Sequence, residues 1–549
     1  MLKDQVTAKK ILEMLKLSQK AAEEMYKALE SGNNSAFLGI ANDIVPILST
    51  LTKIGYNLEQ QDSTINLGKS AESCLYSLTR IMQYDNPERS LHKTEFELIP
   101  LLEEAYIQFY FWGCVYPDKS RMEHFHNVEF FELCKNKYID KSAETGIYKY
   151  DLTIQVTAYN KLEYTKNCVQ SILDNIPPNL NYELILINHG SSDQTQEYFE
   201  SINPTKQIDI IKNGGGRTAY TRIVEAKYLL SISNDVIITK NTITNLLDGI
   251  MSDKKIARVV PSTPNVSNLQ AIPSNYSDME EMFEFASENN QYNVYRHELR
   301  TRLCDPLAIH NSELQLASRG LGLMRSLFLT DSMASFPDDA MSLLIRRNSF
   351  KNILAKDTYC YHYGSVTIQD DLKNVQQQDA YLKGRQDFLN WFGVNPWGTG
   401  FCYDPDLVSI IKCGDFEHVD ILGINCGLGS NSLKVKEMYR EIKHNLDVTL
   451  YNLTDNKIYE QDLKGVSDEV RIVDKPRETF FSGPKLYHHI VIDDMFTTSF
   501  DYVAFLKNCL HHLHDGGSLF FKSPSLGEKL LADNFPGATT AGEWSALYK

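Results

Sequence analysis

The chain lacks the features that would cross-link it, carry it through a membrane or bind it to a polyanion. Its ten cysteines in 549 residues stand singly, with no C-x-x-C pair, so neither a zinc ribbon nor a thioredoxin-type motif is indicated. Scattered thiols suit a reducing compartment better than a disulfide framework. The first residues, "MLKDQVTAKKILEMLK", carry charge throughout and lack the apolar block of a signal peptide. The most apolar early run, "LIPLLEEAYIQFYFWGCVYP", has Glu103 and Glu104 near its middle and is too short and too charged to span a bilayer. A basic excess is missing as well. Lys and Arg number 55 against 71 Asp and Glu, a formal net charge of −16, which argues against a general nucleic-acid or anionic-membrane binder. These absences predict a cytoplasmic protein with no transmembrane segment. There is no internal repeat and no low-complexity tract.

What is present is ordinary globular material, 42% hydrophobic and 23% charged, in a length that suggests roughly three domains. Residues 1–147 read as a helical domain. Val6, Ile11, Leu12, Leu15, Ala22, Met25, Tyr26 and Leu29 recur at three- and four-residue steps, the mark of an amphipathic helix. "SGNNS" (31–35) then breaks the pattern, and further helices are expected to about Leu58 and around 70–83 and 96–111. The aromatic stretch Tyr106, Phe109, Tyr110, Phe111 and Trp112 is expected to be core.

From 148 to 400 the period changes. Short β-branched runs (153–157, 183–188, 207–212, 227–233, 256–261) alternate with helical segments (162–174, 194–201, 218–226, 241–251), the pattern of a parallel, doubly wound sheet. "SNYSDMEEMFEFASENNQYN" is expected to be a helical insertion or lid. A second α/β pattern occupies 415–549 and is expected to stop soon after its fifth strand.

Six phrases in the middle region carry chemistry. "DLTIQVTAYN" ends a strand at Thr157 and Tyr159, and "YELILINHGSSD" ends the next at Asn188, with Ser191, Ser192 and Asp193 placed to cap a helix. "NGGGRTAYTRI" offers a glycine loop through Gly215 with the cations Arg217 and Arg222. Ser233-Asn234-Asp235 follows an apolar strand, and Asp235 can give a hard cation one oxygen. "PDDAMSLLIRR" starts a helix with Asp338 and Asp339, either as acids complementing the helix dipole or as a general base. "AKDTYCYHYGSVT" contains His362.

In this order and spacing the phrases resemble glycosyltransferase family two, which has the GT-A fold; similar bacterial multi-domain members glycosylate flagellin. The resemblance implies an α/β catalytic domain that moves a sugar with inversion from a UDP-sugar, GlcNAc among the candidates, to a hydroxyl such as Ser or Thr of flagellin. Thr157, Tyr159, Asn188, Gly215, Arg217, Arg222 and Asn234 would then border the nucleotide. Gly320 and Gly322 of "RGLGLMRSLF" would border the sugar. Asp235 and His362 would hold Mn²⁺ or Mg²⁺, with Mn²⁺ tolerating the imidazole better, and Asp339 or Asp338 would be the base. Three positions depart from the family: Asn188 replaces an acid that contacts uracil, Ser233 replaces the first acid of Asp-x-Asp, and Ala340 stands where a third acid often follows the pair Asp338 and Asp339.

The region 415–549 resembles a methyltransferase-like Rossmann domain, with Gly423, Gly427 and Gly429 in the loop after its first strand. Asn425 stands where an acid is common, and Asn452 or Asp455 stands near the ribose position. These departures suggest a degenerate module for docking or homo-oligomerisation. The alternatives are a polysaccharide or lipid-linked sugar transferase, a bifunctional glycosyltransferase–methyltransferase, and a pseudoenzyme scaffold.

Overall fold

The computed structural model describes residues 5–61, 67–116, 118–125, 129, 133, 136–212, 219–291, 297–298, 306–314, 336–364, 382–394, 403–473, 485–494, 501–522 and 528–549, apart from 267–269, 273, 383, 387, 391 and 444. Gly215, Arg217, Gly320 and Gly322 lie outside the described residues.

The N-terminal part is a helical bundle built mainly from Gln5–Glu30, Asn34–Gln61, Leu67–Ile81, Pro87–Lys93 and Ile99–Tyr110. The apolar periodicity has its expected result: Ile11, Leu15, Ala22 and Met25 share a core with Phe37, Ala41, Ile44, Leu48 and Leu51 of the second helix. Phe109, Phe111 and Trp112 are buried in the same core, as the aromatic stretch predicts. The second helix, over 34–60, is long and apolar enough to cross a membrane by length and composition, which the sequence reading did not anticipate. Its buried face packs inside the bundle. The second and third helices cross so closely that a Cβ on Gly55 would lie 2.4 Å from the backbone nitrogen of Gly68. Between the fourth and fifth helices the chain widens into a π-helical turn, Thr94–Leu98.

The middle region is a sheet of β1 (Tyr150–Ala158), β2 (Tyr182–His189), β3 (Lys206–Ile210), β4 (Ala226–Ser233), β6 (Ile256–Ser262), β7 (His297–Glu298), β8 (Leu307–Asn311) and β9 (Lys351–Tyr359), in the order β3-β2-β1-β4-β8-β6-β9-β7. Strands β1, β2, β3 and β4 are parallel, whereas β8 runs antiparallel to β4 and β6. The short pair β5 (Val236–Ile237) and β10 (Tyr361–His362) forms a second, antiparallel sheet. The apolar runs follow from burial on both faces. Helices Leu162–Asn175, Thr195–Ile202 and Thr242–Met251 lie where the pattern places them. The expected helix over 218–226 does not form; only the 3₁₀ turn Ala219–Arg222 is present. The β-branched Ile223 and Val224 are fully buried and lead straight into β4. The expected insertion contains the helix Met279–Asn289, capped by Asp278 through Glu281 N–H.

The bundle covers the edge of this sheet. Glu97 Oε2 accepts from the backbone N–H of Asp209 at 3.0 Å, and Lys93 Nζ donates to Gln207 O at 2.6 Å. Two main-chain groups on the outer side of β3 are therefore occupied, which blunts an otherwise open edge. Phe96, on the π-helical turn, packs among Ile185, Ile187, Ile208 and Ile210 of β2 and β3.

The C-terminal sheet comprises β11 (His418–Ile424), β12 (Asp447–Thr454), β13 (Glu469–Ile472), β14 (Tyr487–Ile492), β15 (Leu513–Lys522), β16 (Thr539–Ala541) and β17 (Trp544–Tyr548), in the order β13-β12-β11-β14-β15-β17-β16. The domain therefore does not stop after a fifth strand. The last residues, 528–549, form a helix and a hairpin whose β17 joins β15 antiparallel. The period-two pattern of "EWSALYK" is short and follows a turn, which hides it among loop residues. The helix Pro337–Arg347 lies between the three parts. Phe336, Ala340 and Leu343 belong to the bundle core, Ile345 meets Ala257, and Arg347 is doubly hydrogen-bonded to Asp462.

Candidate active site

In open α/β sheets ligands bind beyond the carboxyl ends of the strands, at the point where strand order reverses. Strand β1 is that point, with β2 on one side and β4 on the other. Register sets Ala158 beside Asn188 and Thr157 beside Ser233, so the motif-bearing ends of β1, β2 and β4 lie together.

The turn after β1 is locally specified. Asn160 and Lys161 have φ of 54° and 61°, left-handed values that Asn tolerates better than most residues. Ser191, Ser192 and Asp193 hold this turn from the next one. Ser191 Oγ accepts from Asn160 N–H at 2.9 Å, Ser192 N–H donates to Asn160 Oδ1 at 2.8 Å, and Asp193 Oδ2 accepts from Leu162 N–H at 3.1 Å. Asp193 also accepts from Thr195 N–H, so it caps its own helix and the preceding one. Tyr159 projects with 38% of its surface exposed, and Thr157 is half-buried.

Asn188 is buried. Its Oδ1 accepts from Ser191 N–H at 3.0 Å and its Nδ2 donates to Asp209 Oδ1 at 3.4 Å. Asn234 is also enclosed: its Nδ2 donates to Asn160 O at 3.1 Å and to Thr165 Oγ1 at 2.9 Å. Asn234 thus ties the end of β4 to the turn after β1.

Asp235 and His362 come together because β5 and β10 pair. His362 is opposite Val236, and Tyr363 N–H donates to Asp235 O at 3.1 Å. The imidazole Nε2 lies 3.3 Å from Asp235 Oδ2, with both residues 8% exposed. The other ring nitrogen, Nδ1, is buried with no hydrogen-bond partner among the described residues. Asn265 Nδ2 donates to His362 O at 3.0 Å, fixing the strand from its far side. Tyr363 packs edge-on against Tyr164 and Tyr361, with centroids 4.7 and 4.9 Å away. One carboxylate and one imidazole are a chemically consistent pair for Mn²⁺ or Mg²⁺ that takes its remaining ligands from phosphate and water. No group of three or more acidic, His or Cys side chains arranged for a metal occurs among the described residues.

The remaining candidates are placed differently. Asp338 is half-buried, whereas Asp339 is fully enclosed in the first turn of the helix Pro337–Arg347. Arg222 does not join the Asp235–His362 pair in any described contact. It pairs with Glu103 at 3.3 Å and donates to Leu133 O at 2.7 Å. There, at the edge of the bundle, it lines a cavity of about 430 Å³ with Glu95, Lys137, Tyr138 and Asp140.

Asp209 is the residue that sequence reasoning missed. Its carboxylate, 1% exposed, meets Lys93 at 3.1 Å and Arg80 at 3.2 Å, both from the bundle. Burial would raise this carboxyl, but Lys93 and then Arg80 outweigh burial and hold it below the usual carboxylate range. Its only sequence signal is an acid inside an apolar strand, "QIDII".

In the C-terminal sheet the loop after β11 has Asn425, Gly427 and Gly429 at φ of 50°, 52° and 84°. The groups around it satisfy one another. Asn452, 1% exposed, bonds to Ser432 and Ser467, and Asn431 Nδ2 donates to Asp493 Oδ2 at 2.7 Å. Leu428 is buried in the bundle core. Asn452 therefore does not fit a ribose partner, while Asp455 is exposed.

Comparison with known families agrees with the middle region. The profile of "Glycosyl transferase family 2" matches residues 153–301, which span β1 to β7 and include Asp235. Residues 153–301 are thus a family 2 glycosyltransferase domain, carried on the mixed α/β sheet described above. No curated protein matches the sequence. Among solved structures, S. aureus TarS aligns at 14% identity and a TM-score of 0.31, over 44% of this chain and 40% of that one. GalNAc-T7 with UDP, GalNAc and Mn²⁺ aligns at 13% and 0.29, over 39% and 43%. The mannosyltransferase PcManGT from Pyrobaculum calidifontis, with GDP-Man and Mn²⁺, aligns at 14% and 0.30, over 44% and 65%. This chain thus spans less than half of TarS and of GalNAc-T7, and likenesses this distant say nothing of donor or acceptor.

Proposed function

We propose that the chain is a glycosyltransferase that moves a sugar from a UDP-sugar to a hydroxyl group with inversion at the anomeric carbon. The observation that carries the proposal is the Asp235–His362 pair beside the switch point of the sheet. Thr157, Tyr159 and Asn188 border the nucleoside in this reading, and Asp235 with His362 holds Mn²⁺ or Mg²⁺. A bound cation supplies charge compensation for the departing diphosphate. A carboxylate of the helix Pro337–Arg347 takes the proton of the acceptor hydroxyl, whose oxygen attacks the anomeric carbon as the UDP oxygen leaves. Partial exposure favours Asp338 for this role over the enclosed Asp339.

The acceptor we propose is a protein Ser or Thr, with flagellin as the first to test; the bundle and C-terminal sheet give the chain far more surface than a small acceptor needs. The C-terminal sheet is in this reading a degenerate methyltransferase-like module that docks rather than catalyses, supported by Leu428 in the shared core and by the internal bonding of Asn452. UDP release from a panel of UDP-sugars beginning with UDP-GlcNAc, with Mn²⁺ and with EDTA, tests the transferase. Metal-dependent release from one sugar is expected. Silence across the panel in a protein that binds S-adenosylmethionine would replace this reading with a methyltransferase one.

A further inference from the structure

We infer that Asp209, gripped by the helical bundle, is a specificity-determining residue for the base, and that it is the reason an amide rather than an acid stands at position 188. This rests on the nucleotide reading above.

Asn188 and Asp209 are register partners on β2 and β3. The 3.4 Å contact from Nδ2 to Asp209 Oδ1 and the 3.0 Å contact from Ser191 N–H to Oδ1 fix which end of the amide is which. An amide oxygen has two lone pairs, so after Ser191 it can accept one more bond. Position 188 therefore keeps an acceptor for the base, with one of its two amide N–H groups committed to Asp209. A ring N–H such as that of uracil satisfies it, whereas the bare N3 of cytosine does not.

The orientation depends on Asp209 staying ionised and still. Three side chains do that, against the single like charge of Glu97 beside Lys93. Lys93 and Arg80 lie 3.1 and 3.2 Å from Oδ2, and Gln207 Nε2 donates to both oxygens at 3.2 and 3.1 Å. Lys93 is itself held by Glu97 at 2.5 Å. An acid at 188 would set a second carboxylate against this one in a buried place, where two like charges resist ionising together. Asn188 is thus the residue that Asp209 permits, and the bundle reaches the base through Lys93 and Arg80.

Calorimetric binding of UDP and CDP to the full chain tests this. Wild type is expected to prefer UDP by about 10-fold or more, since a site that pairs a ring N–H discriminates against rings lacking it. In Asp209→Asn the amide at 188 is free to turn over, and the UDP/CDP ratio is expected to collapse. Arg80→Gln, at a partly exposed partner, should lower the ratio in part. Asn188→Asp should weaken UDP by about 10-fold, and the exchanged pair Asn188→Asp with Asp209→Asn should restore it. A general loss of stability would lower both affinities and leave their ratio unchanged. Tight UDP binding by wild type with an unchanged ratio in Asp209→Asn, or undiminished binding by Asn188→Asp, overturns the inference alone. Failure of folded wild type to bind either nucleotide overturns the nucleotide reading and this inference with it.

Discussion

The imidazole Nε2 of His362 lies 3.3 Å from Asp235 Oδ2, brought there by a two-residue strand pair. If this pair holds the cation, Asp235→Ala and His362→Ala should each lower metal-stimulated UDP release by about 100-fold or more, as loss of a ligand at a catalytic metal does. Melting temperature should change little. Full activity in either variant would remove that residue from the site.

The Arg347–Asp462 pair predicts a stability effect. Asp462 is 1% exposed and its two oxygens take Nε at 3.2 Å and Nη2 at 3.1 Å. Removing one partner of such a pair leaves a charge in poor surroundings, so Asp462→Ala should cost about 3 kcal/mol. Because Arg347 ends the helix that starts with Asp338, turnover should fall further than UDP affinity. Denaturant unfolding and a separate kcat and KM measurement check the two parts.

Gly55 predicts a packing defect. A Cβ there would meet the backbone of Leu67 and Gly68 at 2.4–2.6 Å, and backbone cannot swing aside as a flexible side chain can. Gly55→Ala should destabilise the chain by about 1–3 kcal/mol, despite the better helix propensity of Ala. An unchanged melting temperature would show that the helices slide apart at no cost.

Acid should loosen the protein before it titrates the carboxylates. Burial, then nearby lysines, pushes His92 down to about 4; burial, then His514, pushes His488 down to about 4; burial, then Arg258, pushes His310 down to about 3. The unfolded chain takes up these protons near the ordinary value of 6.5, and the folded chain only near 3 to 4. Stability is therefore complete above about pH 6.5 and falls as pH drops through 6 and 5. Melting temperature followed from pH 7.5 to 4.5 checks the sign, and His488→Gln should flatten part of the slope.

The strands around the site were legible because their apolar runs are buried on both faces, and the helices of the bundle because one face of each repeats at helical steps. Asp235 and His362 were legible only through resemblance, since nothing local in "SND" or "YHY" shows that β5 and β10 pair. Asp209 showed only as an acid inside an apolar strand, which does not reveal its partners. Its partners Arg80 and Lys93 belong to a different part of the chain, and no periodicity reports a contact between a helix and a strand edge more than a hundred residues later. The same limit hid the role of Arg222, which looks like a cation for phosphate beside its glycines and instead pairs with Glu103. The helix expected over 218–226 failed because burial of Ile223 and Val224 favours entry into β4 over another helical turn.

The edge of β3, blunted by Glu97 and Lys93, gives the order of synthesis a physical meaning. The helical bundle leaves the ribosome before the strand it covers, which follows roughly a hundred residues behind. When β3 appears, its partner groups are already waiting, so the sheet grows against a finished wall and its open side meets no neighbouring chain. A chain started at residue 148 would grow the same sheet with that side bare. It should collect as insoluble assemblies even though every strand of the catalytic sheet is present.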